Sequence, residues 1–180
     1  TPSLLLLLWL PCVGQPYFTK EQLLRYHQHL SHKIMPFSLW DDRCFLEYKF
    51  FQVLKRELNL ENPEYFNDKL QWLKLYNRES LHTQLVDKYL VRHYVEERIG
   101  KAYLNQLVNV YETADEIHWL NLPDQFVLKT THGCGQNIIC RNKEKLDTER
   151  AKIDLSQWLN ANNYQRSREW PYKNVKPRII

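Results

Sequence analysis

The chain has 180 residues, 43% of them hydrophobic and 26% charged, with a formal net charge of +4. This is the mix of a globular protein with room for one core and a small appendage, and the charge is too modest for a dedicated nucleic-acid binder. Four cysteines at positions 12, 44, 134 and 140 lack the dense spacing of a disulfide framework, so reduced thiols in a cytoplasmic protein are expected.

Leu4 to Leu10 is an uninterrupted apolar run. It is far shorter than the roughly 20 residues that cross a bilayer. No basic stretch precedes it and no small-residue cleavage site follows, so it is read as a terminal or buried segment rather than a secretory leader. The chain opens on Thr1, not Met, and is expected to start inside a longer reading frame. Thr19, with Gln22 three residues on, forms a capping box for a helix to Leu30. His27, His29 and His32 crowd its end with no acidic or thiol partner at ligand spacing, so no metal site is read there. A second helix is predicted over Phe45 to Leu58, with Phe45, Phe50, Val53 and Leu54 among its apolar residues.

Asn62-Pro63 is a helix-start signal, and Phe66, Leu70, Leu73 and Tyr76 then follow as a stripe expected to be buried. Asp87-Lys88 leads into a helix carrying Leu90, Val91, Tyr94 and Val95 and stopped by Gly100. Leu107 to Tyr111 reads as a short strand. Pro123-Asp124 turns the chain into a buried strand, Phe126 to Thr130, then a glycine-containing loop, His132 to Gln136, and a return strand, Asn137 to Arg141. Asp147 caps a further helix with Ala151, Leu155, Trp158 and Leu159 inward. The stretch from Arg166 to Arg178 is basic, aromatic and irregular, and is read as a solvated connection with Trp170 docked into the core. Ile179-Ile180 starts a last strand. The pattern predicts an α+β fold, with a helical N-terminal region followed by a small antiparallel sheet with helices.

The segment most suggestive of chemistry is FVLKTTHGCGQNIIC at 126–140. It sets a lysine near a strand end beside two closely spaced glycines, whose backbone N–H groups can curl over an anion. No Gly-Lys-Ser/Thr follows, so it is not a Walker A loop, and no third glycine opens a helix, so it is not a dinucleotide fingerprint. Taken alone, the pattern is also that of a tight hairpin with a surface lysine. His132, Cys134 and Cys140 lack a fourth ligand for zinc, and His132 beside Cys134 in sequence does not make a catalytic pair.

Together with VDKYLVRHYV at 86–95, this segment resembles the ATP-grasp arrangement. NPEYFNDKLQWLKLYNR at 62–78 and SREWPYKNVKPRII at 167–180 resemble its TupA-like branch, found in bacterial surface-polysaccharide and teichuronopeptide synthesis. The resemblance implies a partial ATP-grasp fold over 59–180, with 1–58 a helical region of unclear origin. It implies ATP and Mg2+ as cofactors. Lys88 and Lys129 would contact the phosphates from opposite sides, and His132, Gly133, Cys134, Gly135 and Gln136 would form the loop closing over them. Asp87 is read as a helix cap. Cys134 and Gln136 depart from the family pattern, and a thiol donates more weakly than a hydroxyl. The family's metal ligands would follow Ile180, so the chain is expected to be a fragment, inactive alone. The implied activity is carboxylate–amine ligation on a surface-polysaccharide precursor or acidic sugar, without nucleic acid, in the cytoplasm, with peripheral membrane attachment as a variant. Alternatives are a glycosyltransferase, as some relatives are labelled, and a non-catalytic nucleotide- or polyanion-binding module. The Asp-x-Asp metal motif of the former is missing, since Asp115-Glu116 lacks that spacing.

Overall fold

The computed structural model describes residues 40–180. The leucine run, Cys12, the helix expected over Thr19 to Leu30 and the three histidines near its end lie outside the described residues. The chain divides into two compact units, one running to Tyr76 and the other from Asn77 to Ile180.

In the first unit, helix α1 spans Asp42–Leu54. It begins earlier than the apolar pattern suggested because Asp41 caps it, its carboxylate accepting the Cys44 N–H at 3.0 Å. It ends where Lys55 enters the left-handed region, φ 55°. Phe45, Leu46, Tyr48 and Phe50 are buried with Trp40, Leu58 and Leu60, so Leu58 reaches the core from outside the helix. Trp40 meets Tyr48 edge to face at 5.3 Å. Val53, one of the apolar residues named for this helix, is exposed.

Helix α2 spans Phe66–Tyr76. It starts after Pro63 because Asn62 is held in a turn, its N–H donating to the Asn59 side chain at 3.0 Å and its own amide to Glu64 at 3.2 Å. The expected buried stripe is corrected here. Phe66 is 73% and Tyr76 51% exposed, and Leu70 and Leu73 are also open. The helix packs by another side, where Leu75 meets the core and Asp68 is fully buried. Both Asp68 oxygens accept from Arg56 Nη1, at 3.0 and 3.1 Å, and Arg56 lies 4.7 Å from the Phe50 and Tyr65 rings. A buried carboxylate needs such a partner, and this pairing, rather than the apolar stripe, orients α2.

The second unit opens with helices α3 (Ser80–Val86) and α4 (Val91–Ile99), the latter closed by Gly100 at φ 98°. Strands β1 (Phe126–Lys129) and β2 (Asn137–Cys140) pair antiparallel, with Phe126 opposite Cys140 and Lys129 opposite Asn137. Helix α5 (Thr148–Leu159) is capped by Asp147, which accepts the Arg150 N–H at 2.9 Å, and α6 (Asn163–Ser167) follows. The expected strand at 107–111 contracts to a single bridge. Tyr111 and Ile179 exchange backbone bonds of 2.8 and 2.9 Å, and Ile179 also bridges Thr130. Leu155, Leu128, Phe126, Tyr111 and Ile179 form the centre of the core.

The basic stretch is more ordered than its composition suggested, taking in the end of α6 and a 3-10 turn at Trp170–Tyr172. Its buried members are Val175 and Arg168, the latter against the Tyr164 ring, while Trp170 is half-buried. Among the described residues, no helix is long and apolar enough to cross a membrane.

Candidate functional site

Strand β1 alternates as a half-buried strand must. Phe126 and Leu128 point into the core, and Val127 and Lys129 point out. Lys129 is therefore presented on the open face at the mouth of the loop. Its backbone is fixed on both edges: Asn137 lies opposite in β2, and Ile180 exchanges bonds with Lys129 at 2.8 and 2.9 Å. Beside it runs a groove of about 490 Å3 lined by Asn105, Leu107, Asn109, Val127, Lys129 and Ile180, among others.

Lys88 approaches the loop from the turn before α4. Its ammonium donates to the carbonyls of Thr130 (3.0 Å), Thr131 (3.4 Å) and Gly133. An ammonium carries three donors, and the loop root supplies three acceptors. Burial lowers the Lys88 pKa from its ordinary value; Lys129 adds to that, whereas Cys134 and Asp87 oppose it. The adjacent Asp87 is fully buried and accepts the N–H groups of Tyr89 (2.8 Å) and Leu90 (3.1 Å). That is the capping role expected of it. Its other oxygen faces Arg178 at 3.4 Å.

The loop residues divide into an anchored root and an exposed tip. His132 is buried, its Nε2 donating to the Trp158 carbonyl at 3.1 Å while its own carbonyl accepts from Asn163 at 3.0 Å. Burial lowers its pKa, and the bond to Trp158 works against that shift. Gly133 is also buried. A Cβ there would stand 1.9 Å from Gln136 Oε1 and 2.2 Å from Thr130 Oγ1, two atoms already joined by a 2.8 Å hydrogen bond. Cys134 and Gly135 are exposed at the tip, with Gly135 at φ 76°. Of the expected site residues, Lys88, Gly133 and Gln136 thus meet at the loop root, Lys129 and Cys134 face outward, and His132 anchors the loop to α5.

Two residues at this root were not anticipated. Thr130 and Thr131 are both fully buried. Thr131 Oγ1 donates to the Lys176 carbonyl at 2.9 Å and accepts the Arg178 N–H at 3.0 Å, while its N–H donates to the Arg178 carbonyl at 2.9 Å. The only hint in sequence is a pair of hydroxyl side chains where a buried strand ends, since buried hydroxyls need partners.

The outward lysine, the exposed glycine-containing tip and the adjoining groove suit a polyphosphate. Among the described residues, no group of three or more His, Cys, Asp or Glu side chains could hold a metal ion. They thus supply no cage of several carboxylates for Mg2+, an ion that commonly rests on one or two carboxylates together with substrate phosphates. The family model described as TupA-like ATPgrasp matches residues 68–180. Neither the comparison with curated proteins nor that with solved structures gave a match. The matched stretch contains Lys88, β1, the glycine loop, β2 and the returning segment at Ile179, in that order. On this extent of agreement the chain belongs to the TupA-like ATP-grasp family, and its α+β architecture is that of a partial ATP-grasp fold.

Proposed function

We propose that this chain binds ATP through Lys129 and the loop His132–Gln136, as part of an ATP-dependent carboxylate–amine ligase acting on a bacterial surface-polymer precursor. The observation that carries this reading is the outward-facing Lys129 at the loop mouth, beside the groove along β1. Its ammonium offers a compact cation to phosphate oxygens, and the exposed residues Cys134 and Gly135 supply backbone that approaches an anion closely. Lys88 and His132 support the site from beneath. In the proposed reaction a carboxylate oxygen takes the γ-phosphoryl group and ADP leaves. The amine then attacks the acyl phosphate, forming the amide and releasing phosphate and a proton.

Calorimetric titration with ATP and magnesium tests the reading. The chain should bind, and Lys129→Ala should weaken binding roughly tenfold or more, the scale of a lost charge-assisted contact. Equal binding by the variant, or none by the parent chain, overturns it. Displacement of ATP by nucleotide sugars would instead favour a glycosyltransferase.

A further inference from the structure

The three carbonyls at Lys88 belong to consecutive or near-consecutive peptide units of the loop root, Thr130, Thr131 and Gly133. In a planar trans peptide, the N–H of the following residue points opposite to the carbonyl. Drawing these three oxygens toward one ammonium therefore turns the N–H groups of Thr131, His132 and Cys134 away from it. The first of these is seen to do so, since the Thr131 N–H donates to the Arg178 carbonyl at 2.9 Å. The last belongs to the exposed tip, where an anion would meet it.

We propose that Lys88 is, in the nucleotide-free protein, a positioning residue that clasps the glycine loop by its carbonyls and thereby aims the tip N–H groups outward, a role additional to the phosphate contact that the family resemblance implies. Its functional value rests on the ATP-binding reading, but the clasp itself exists without nucleotide. The surroundings fit this role. Lys88 N–H also donates to the Thr131 carbonyl at 3.2 Å, so backbone and side chain grip the same residue. Asp87 and Arg178 brace the turn from behind. Buried Gly133 lets the loop backbone fit against Thr130 and Gln136 in this conformation. A phosphate approaching Lys88 would have to displace acceptors already matched to all three donors.

Amide hydrogen exchange of the nucleotide-free full chain, resolved over residues 130–137, separates the two roles. A lysine serving as a phosphate ligand alone predicts that Lys88→Met leaves loop exchange unaltered and only weakens ATP binding. The clasp predicts that loop exchange rises roughly tenfold or more, with the amides of α1 unchanged. Lys88→Arg keeps the charge, but its planar fork does not converge on three carbonyls. It should fail to restore parental exchange, and full restoration would overturn the proposal. Should Lys88→Met not fold, the parent protein still decides by NMR. A clasped ammonium gives slowly exchanging Nζ–H3 signals coupled to the loop, and fast exchange there refutes it. ATP calorimetry on the same samples reports separately, so loss of the nucleotide reading and loss of the clasp are distinguishable.

Discussion

Gly133 shows how narrowly one position in the loop is specified. A methyl group there would overlap the ends of two side chains. Gln136 is long and half-exposed and can swing aside, whereas Thr130 is β-branched and fully buried and cannot. Gly133→Ala should therefore cost about 1–3 kcal/mol, the usual range for overpacking, measured by urea unfolding. Adding Gln136→Ala should recover part of the loss by removing the movable obstacle, and an unchanged double variant would place the strain at Thr130. The requirement for glycine was legible from sequence, but its cause was not. The sequence suggested close approach of backbone to an anion, while the structure shows close approach to the loop's own side chains. Lys88 was legible in the same partial way. Its place near the loop follows the family pattern, yet only geometry reveals that its donors turn toward carbonyls.

Among the elements, those defined by local chemistry were the ones the sequence made readable. Asp147 caps α5, Gly100 closes α4, and the two short strands flank the glycine loop within a residue of expectation. Where tertiary pairing decides, the pattern misled. The stripe Phe66, Leu70, Leu73, Tyr76 has helical spacing but faces out, because the buried Asp68 fixes the helix through Arg56. A lone acidic residue within an apolar helix gives no sign of the arginine that awaits it. The cap of α5 carries a prediction at this scale. Asp147→Ala should lower stability by about 1 kcal/mol, read as a shift in the urea midpoint without a change in slope. Since α5 also provides the Trp158 carbonyl that holds His132, faster exchange of the loop amides should accompany it.

At the scale of the whole molecule, His132 couples the second unit to pH. Its pKa is lowered because burial disfavours the imidazolium. The unfolded chain therefore takes up the proton at a higher pH than the folded one. Stability is fully present above the ordinary histidine value of about 6.5 and falls as pH drops from there through the lowered folded value. Lys88 and Asp87 also face this histidine, with opposing effects. Urea melts between pH 8 and pH 5 should show this loss, and His132→Gln should flatten it. A parent chain equally stable across that range would rule the effect out.

Ile179 has a temporal consequence. Its backbone binds Tyr111, it bridges Thr130, and its side chain is wholly enclosed in the core. On a ribosome, residues 111 and 130 emerge long before their shared partner. The hairpin can form early from local contacts, but the sheet gains its third rung only when the returning segment arrives. Until then the edge of β1 beside Lys129 stays unpaired, a template for pairing with other chains. The nascent protein is thus most exposed to misassociation along the same edge from which the finished one presents its candidate phosphate-binding lysine.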